Sequence, residues 1–513
     1  MMWRGIHPHV LLALAVTLAG CGTDKSAPSA LDAGSDAMST PAKDSGLSHD
    51  AAGASDAAAE SSTDTGSTAV FPLRASTNHR YLVSPNGKPY LLVGDAPHDL
   101  FTNVSIADAT SYLEDRAAHG FNALWCELLV GSAIGGRADD STYDGIVPFT
   151  GKLSGGQYDL TTPNPAYFAR VDQVVELAAS YGMLVFLDTF DWDSQLDLYE
   201  ANGNAGAASW GKYVGTRYAS FPNILWITGN DIESWNTSAT DNALLENIMG
   251  SIATADPNRL QTTELNYNIS GSLDDALLVP YTTLAAAYTY YPTYFEVLQE
   301  YNSKAATVPV FLEETYYEGG SYGSLTPTTA TDLMLRKAAY WTVLSGGLAG
   351  YMSGTNWYDF HEGWHTGIDA TSETQIGYWK SLFTSVAWYE LAPDQTQSVT
   401  TAGYGTPSGG LVGPCGGTGE TCGSGDMETD DYVTTAITSD GSLAMAYCPV
   451  STTLTVDLGK LRSMVTARWY DPTTATSAAV SGSPFPNTGS QTFTTPGNNG
   501  EGDPDWVLVL EAP

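Results

Sequence analysis

The stretch that decides the fold is "PAYFARVDQVVELAASYGMLVFLDTFDW", residues 165–192. Its first part has the apolar spacing of a helix, with Asn164 as N-cap and Pro165 in the first turn. Gly182 stops that helix, and the apolar run after it predicts a strand buried on both faces. A helix followed by a fully buried strand is the repeating unit of parallel α/β folds.

This unit recurs about eight times between residues 70 and 394. Eight strand–helix units predict a (β/α)8 TIM barrel. The alternative is an open doubly wound sheet, which the lack of a Gly-rich phosphate loop after the first strand disfavours. The predicted strands are "YLLVGD", "FNALWCELL", "MLVFLDTFDW", "NILWITGNDIE", "LQTTELN", "LAAAYTYYP", "VPVFLEETYYEGG" and "LAGYMSGTNWYDF".

After Pro393-Asp394 the apolar residues follow a period of two. Leu454, Val456 and Leu458 alternate with polar residues, and Gly, Pro and Asn separate such runs. This pattern predicts a small antiparallel β-sandwich over residues 395–513.

Residues 1–21 have the features of a lipoprotein signal peptide. Arg4 precedes a short apolar run, and Leu18-Ala19-Gly20-Cys21 resembles the lipobox of bacterial lipoproteins. The resemblance implies lipidation of Cys21; the alternative is an ordinary signal peptide with an incidental cysteine. Residues 22–69 are rich in Ala, Ser and Asp, which predicts a disordered tether. We therefore expect a lipid-anchored protein of the bacterial cell envelope that faces the periplasm or the cell exterior.

The formal net charge is −37, which disfavours binding to nucleic acid or directly to an anionic membrane surface. The lipid anchor is thus the expected membrane contact, and a monomer without cofactor is the expected form.

Cys415 and Cys422 flank a Gly-rich loop outside the cytosol, which predicts a disulfide between them. Cys126 and Cys448 lie in apolar runs and are predicted to be buried thiols.

Acidic residues stand at the carboxyl ends of four predicted strands, namely Asp95, Asp188, Asp191, Asp231, Glu313 and Glu314. In a barrel these ends share one rim. Two carboxyl groups on one rim suit glycoside hydrolysis, in which one protonates the leaving oxygen while the other attacks the sugar or activates water. Aromatic residues that could stack on a sugar also follow the strand ends, namely Trp192, Trp235, Tyr291, Tyr317 and Trp357.

The chain resembles the apiosidase-like glycoside hydrolases over roughly residues 75–394. The resemblance rests on "NGKPYLLVGDAPHDL", "YLEDRAAHGFNAL", "YFARVDQVVELAASYGMLV", "ILWITGND", "PVFLEETYYEGG" and "RKAAYWTVLSGGLAGY". The C-terminal stretch beginning "LAMAYCPVSTTLTVDLGKL" is similar to the collagen-binding-type β-domain often found behind that domain.

The resemblance implies that Asp231 is the general acid/base and Glu314 the nucleophile, with Glu313 as the adjacent alternative. Neighbouring strand residues point to opposite sides, so only one of the two glutamates is expected to face the sugar. Burial and the Glu314 charge are expected to raise the pKa of Asp231. Substrate binding is expected at Asp95, His98, Asp188, Asp191, Trp192, Asn230, Tyr291, Tyr317 and Trp357.

The first loop departs from the family pattern, because Ala96 and His98 stand in "GDAPHDL" where the family usually has Thr and an aromatic residue. The last strand likewise lacks the family's usual Gly-His pairs. The expected function is thus a retaining glycosidase for pectic or related polysaccharide, with apiose as the leading sugar. The alternative is a non-catalytic surface lipoprotein that binds glycan or matrix.

"HEGWH", residues 361–365, matches the spacing of a zinc metalloprotease helix. Gly363 weakens a helix there, and the motif falls in the loop after the eighth predicted strand. We therefore predict no metal site. The remaining alternatives are a surface loop and a substrate contact through Trp364 and His365.

Overall fold

The computed structural model describes residues 70–266, 269–322, 328–410, 413–414 and 421–513. The predicted lipidation site Cys21, the predicted tether and the side chains of the predicted Cys415–Cys422 disulfide lie outside this description. Cys126 and Cys448 are buried free thiols, as predicted. No described helix combines the length and the apolar character needed to cross a membrane.

Three short antiparallel strands open the described chain, namely β1 (Arg74–Ala75), β2 (Leu82–Val83) and β3 (Pro89–Tyr90). Gly87 lies in the turn between β2 and β3 and has a φ of +80°, which glycine adopts without a side-chain clash. This small sheet precedes the main one.

A nine-stranded sheet forms the body of the first part. Its strands are β4 (Leu92–Asp95), β5 (Ala123–Glu127), β6 (Leu184–Asp188), β7 (Ile224–Ile227), β8 (Gln261–Thr262), β9 (Ile269–Gly271), β10 (Ala285–Thr289), β11 (Val310–Glu314) and β12 (Gly350–Met352). They are ordered β8-β7-β6-β5-β4-β12-β11-β10-β9. The first parallel strand, β4, therefore lies beside the last, β12, as in a TIM-like α/β barrel.

The sheet differs from the predicted closed barrel of eight strands in two respects. Strand β9 is an additional strand, antiparallel to β10, and within the described residues no ladder joins β8 to β9. Hydroxyl groups occupy ladder positions at this seam: Gln261 N–H donates to Thr283 Oγ1 (2.8 Å), and Ser272 Oγ donates to the Thr263 carbonyl (2.9 Å). The seam is therefore bridged by side chains.

Helices cover the outside of the sheet. They are α1 (Ile106–Ala118), α2 (Pro165–Ser180), α3 (Trp192–Tyr218), α4 (Ala239–Ala255), α5 (Thr293–Tyr301), α6 (Asp332–Leu344), α7 (Trp364–Gly367) and α8 (Thr371–Thr384). The predicted Asn164 cap is confirmed, since its side chain accepts from Ala166 N–H, and the Ser105 side chain caps α1 by accepting from Asp108 N–H. Helix α3 is kinked at Gly203.

Inside the sheet an apolar layer gives way to a polar one. The inner layer contains Trp125, Phe186 and Phe311, and the rings of the two phenylalanines are 5.5 Å apart. Because strand residues two apart share a face, the inward positions that follow these three residues belong to Glu127, Asp188 and Glu313. The carboxyl end of the barrel interior is therefore acidic.

The C-terminal part consists of antiparallel sheets, as predicted. One has the order β13-β17-β18-β23-β20-β21 and another the order β14-β19-β22, with a separate pair β15-β16. Alternation is clear in β19, where Leu454 and Val456 are buried in a core shared with residues of β18 and β23. The strands are β13 (Leu391–Pro393), β14 (Thr400–Ala402), β15 (Gly413–Pro414), β16 (Thr421–Cys422), β17 (Thr434–Thr438), β18 (Leu443–Cys448), β19 (Thr453–Asp457), β20 (Thr466–Tyr470), β21 (Ser477–Ala479), β22 (Ser490–Thr494) and β23 (Trp506–Glu511).

Helix α6 connects the two parts. Arg336 forms ion pairs with Asp503 (2.5 Å) and Asp505 (2.9 Å), and the Lys337 ammonium donates to the carbonyls of Met427 and Glu428. Since Arg336 and Lys337 are themselves buried, these bonds replace the water that both cations lose.

Candidate active site

Asp231 and Glu314 meet at the carboxyl ends of β7 and β11. The Tyr288 hydroxyl lies 2.8 Å from Asp231 Oδ1 and 3.2 Å from Glu314 Oε1. Because both distances share the Tyr288 oxygen, the two carboxyl oxygens can be no farther apart than their sum, 6.0 Å. The sequence-predicted pair therefore faces a common space.

Three tyrosines surround the carboxyl group of Glu314. Besides Tyr288, the hydroxyl of Tyr290 donates to Oε1 (2.6 Å) and that of Tyr317 donates to Oε2 (2.8 Å). Burial raises the pKa of Glu314 above its ordinary value, while the three hydroxyls oppose part of that rise. Donors of this kind stabilise the carboxylate and fix its orientation.

The backbone around Asp231 is held in an unusual conformation. Asp231 has a φ of +52°, in the left-handed region that few non-glycine residues adopt. Its N–H donates to Glu264 Oε1 (2.9 Å), and a Cβ at the preceding Gly229 would lie only 2.6 Å from the Glu264 carbonyl oxygen. Backbone strain that is stabilised by its surroundings is typical of functional sites.

His98 and Asn230 contact this group of residues through Tyr317 and Glu127. His98 Nε2 lies 3.1 Å from the Tyr317 hydroxyl, and its Nδ1 lies 3.5 Å from Glu127 Oε1. Asn230 Nδ2 donates to the same Glu127 oxygen over 3.4 Å. Burial lowers the pKa of His98 to about 3, so its imidazole is neutral. The structure thus brings the predicted His98, Asn230 and Tyr317 together with Asp231 and Glu314.

Four further carboxyl groups, Glu127, Asp188, Glu264 and Glu313, form what we call the pocket floor. All four are buried, and Asp188 accepts from Trp125 Nε1 (2.9 Å) and Phe190 N–H (3.0 Å). Within the part of the chain that the structure describes, Glu127 Oε2, Glu264 Oε2 and both oxygens of Glu313 have no hydrogen-bond partner. Burial, followed by the charges of neighbouring acids, raises the pKa of Glu127, Glu264 and Glu313.

Glu313 and Glu314 lie at the end of β11, and the expectation that only one of them faces the sugar stays a prediction. The pairing with β10 is irregular there: Ala287 opposes Leu312, but Tyr288 opposes Glu314. An irregularity of this kind redirects side chains. Both glutamates act on Glu264, whose pKa is raised by burial and then by the two charges.

The predicted aromatic residues lie past the strand ends but differ in their partners. Trp192 Nε1 donates to Ser234 (2.9 Å), and the Tyr291 ring packs against Gly423 of the C-terminal part. The Trp357 ring stacks on His361 with centroids 4.4 Å apart. Trp235 donates to Asn266 (2.7 Å). Sugar binding by Trp192, Tyr291 and Trp357 remains a prediction.

Asp95 and Asp191 differ in position from Asp231 and Glu314. Asp95 accepts from the Tyr112 hydroxyl (2.5 Å) and from Arg116 (3.1 Å), both on α1, which favours a structural role over sugar binding. Asp191 Oδ2 accepts from Ser194 N–H (3.1 Å) at the start of α3, and the charge of Asp191 contributes to the raised pKa of Glu127. Asp191 therefore lies near the pocket floor.

The "HEGWH" segment does not form one helix. Gly363 has a φ of +103°, and α7 begins only at Trp364. His361 contacts Asp359 and His365 contacts Asp108, so the two imidazoles have separate acidic partners. Both histidines are exposed, which favours the surface-loop interpretation.

Among the described residues, Asp115, His119 and Glu373 have potential metal-ligand atoms within 4.8 Å of one another. The Arg116 guanidinium already bonds both Asp115 and Glu373. The Arg116 guanidinium therefore already supplies a positive charge at this position, which lies on the helix side of the sheet.

Two family models match the chain. Residues 76–390 match the family model described as the apiosidase-like catalytic domain, and residues 422–511 match a collagen-binding-like domain of a collagenase. No curated protein matches the chain.

Two solved structures share the fold. A protein described as a glycoside hydrolase is 20% identical, with a TM-score of 0.67, over 86% of this chain and 96% of that one. A glycoside hydrolase family 5 protein from Bacteroides vulgatus is 18% identical, with a TM-score of 0.67, over 86% of this chain and 93% of that one. At these identities the likeness concerns the fold alone.

Proposed function

This chain belongs to the apiosidase-like family and is a glycoside hydrolase, and we propose that it cleaves its substrate with retention of anomeric configuration, using Asp231 as acid/base and Glu314 as nucleophile. The substrate we propose is a glycoside of pectic or related polysaccharide, with apiose as the leading sugar. We also propose that the catalytic scaffold is a (β/α)8 barrel, of which the seam between β8 and β9 is a local variation.

In the first proposed step a Glu314 oxygen attacks the anomeric carbon while the bond from that carbon to the leaving oxygen breaks. Asp231 gives its proton to the leaving oxygen, and a glycosyl ester of Glu314 results. In the second step Asp231 takes a proton from water, the water oxygen bonds the anomeric carbon, and the ester bond breaks. The product keeps the configuration of the substrate, and both carboxyl groups return to their starting states.

The observation that carries this proposal is the Tyr288 hydroxyl shared by the two carboxyl groups, which limits the separation of Asp231 Oδ1 and Glu314 Oε1 to 6.0 Å. Retaining enzymes place their carboxyl groups about 5–5.5 Å apart, whereas inverting enzymes need about 6.5–9.5 Å to fit a water molecule. The limit supports direct attack by Glu314.

The test is a turnover screen of the full chain with aryl glycosides and pectic fragments, read by mass spectrometry. For any substrate that is cleaved, proton NMR of the first product anomer reports the stereochemistry. We expect retention, and loss of turnover in Asp231→Gly and Glu314→Gln. Inversion would refute the proposed mechanism, and wild-type rates in both variants would refute the assigned residues.

The proposal places the enzyme on the bacterial cell envelope, attached through lipid on Cys21 and acting as a monomer. The lipobox-like sequence supports this location, and the charge of −37 makes nucleic acid an improbable partner. Metabolic labelling with an alkyne fatty acid tests the anchor, since Cys21→Ser should abolish labelling.

Tyr290→Phe is expected to move the acid side of the pH–rate profile upward by about one unit, since Phe cannot donate to Glu314. Glu314 must be ionised to attack, and loss of the 2.6 Å hydrogen bond raises its pKa further. The pH dependence of kcat/KM measures the shift. Tyr340→Phe is the matched control, because the buried Tyr340 hydroxyl has no partner. An identical profile in both variants would contradict the role of Tyr290.

A further inference from the structure

The pocket floor and Glu314 together place five buried carboxyl groups around the proposed reaction centre. Among the described residues, none of the five forms an ion pair with lysine or arginine, and the imidazole beside Glu127 is the neutral His98. Arg137 lies farther out, where it donates to Thr102 and Asn103. No lysine or arginine among the described residues therefore pairs with these five carboxyl groups.

The floor also has acceptor atoms that no protein group uses. Both oxygens of Glu313, one of Glu127 and one of Glu264 have no hydrogen-bond partner among the residues that the structure describes, and the three glutamates are at most 2% exposed. Glu313 follows the inward-facing Phe311 by two residues on β11, which directs it into the barrel interior. Buried polar groups without a partner are costly, so a ligand that donates hydrogen bonds here would be favoured.

A ligand with a negative charge would enter the same environment. Burial and neighbouring acids already raise the pKa of Glu127 and Glu264. A further carboxylate would either meet the repulsion of the floor or have to take up a proton itself, and both are costly. Hydroxyl groups avoid this cost, and an ammonium group would be attracted.

We propose that the pocket floor selects the bound sugar by charge: it accepts sugars that present hydroxyl or amino donors and rejects uronic acids. Glu313 is the main determinant, because neither of its two buried oxygens has a hydrogen-bond partner among the described residues. This inference rests on the proposed function, since it describes the sugar side of the same site. A polysaccharide that contains uronic acid would then be cleaved only where the sugar released at this site is uncharged or cationic.

The test compares sugars that share one ring and differ in charge, namely glucosamine, glucose and glucuronate, and the corresponding galactose series. Dissociation constants for the full chain come from ligand-observed NMR titrations near neutral pH. We expect both uronates to bind at least about a hundredfold more weakly than their neutral partners. Because binding needs no turnover, the result is independent of the stereochemical test. Uronates that bind as tightly as the neutral sugars would overturn the inference and leave the proposed function intact.

A pair of variants locates the effect. Glu313→Gln keeps the size of the side chain and removes its charge, and should reduce the discrimination against uronates by about tenfold. Glu296→Gln is the matched control, because Glu296 is a buried carboxyl group on α5, outside the floor, whose pKa is raised to about 8 by burial and by Asp274. An equal change in both variants, or none in Glu313→Gln, would overturn the assignment to Glu313.

Discussion

Glu314→Gln is expected to fold normally and to lose roughly 10⁴-fold or more in kcat, as variants without a catalytic nucleophile do. The amide has the shape of the carboxyl group but cannot form the glycosyl ester. The hydroxyls of Tyr288 and Tyr290 can still donate to the amide oxygen, and the amide NH2 can donate to the Tyr317 hydroxyl oxygen, so the pocket should stay assembled. Steady-state kinetics on the best substrate of the turnover screen measures the loss.

Two comparisons make this result specific. Glu318→Gln is the control in the same segment, because Glu318 lies after β11 and its N–H bonds the Gly354 carbonyl outside the pocket. It should keep kcat close to wild type. In Glu314→Gly, azide could replace the missing nucleophile and should give a glycosyl azide of inverted configuration. Comparable losses in the Glu318 and Glu314 variants would contradict the assignment of Glu314.

Local rules of sequence explain how much of the fold could be predicted. Ser105 and Asn164 cap their helices because their side chains reach nearby N–H groups, a preference that depends only on neighbouring residues. The buried strands could be located from their continuous apolar runs. The antiparallel β9 could not, because it is only three residues long and the seam beside it is bridged by the hydroxyls of Ser272 and Thr283 instead of a ladder.

Residues of the site could be predicted where a carboxyl group stands at the end of a predicted strand. Asp231 and Glu314 stand just where an apolar run stops, and a barrel brings such ends together. Glu127 and Tyr288 were missed because each lies within a run that otherwise reads as core, and no residue pattern indicates that it faces inward. Glu264 was missed because β8 is only two residues long. The ion pair of Asp95 could not be predicted, since its partner Arg116 comes from the following helix.

Asp231→Gly is expected to lose about 10²–10⁴-fold on substrates with poor leaving groups, the usual contribution of general acid catalysis. Glycine is the suitable replacement, because the φ of +52° at this position suits a residue without a side chain. Aryl glycosides with acidic phenols need no proton on departure, so their first step should be nearly unaffected. A plot of rate against leaving-group pKa should therefore be much steeper in the variant than in the wild type.

Azide distinguishes the role of Asp231 from that of Glu314. In Asp231→Gly the glycosyl ester of Glu314 still forms, and azide can attack it without the help of a base. The product should then be a glycosyl azide with the configuration of the substrate, opposite to that expected from Glu314→Gly. Equal losses on good and poor leaving groups, or azide products of one configuration from both variants, would show that Asp231 is not the acid/base. The two variants should give opposite configurations because Glu314 bonds to the anomeric carbon, whereas Asp231 only transfers protons. The two groups act from opposite sides of the same sugar.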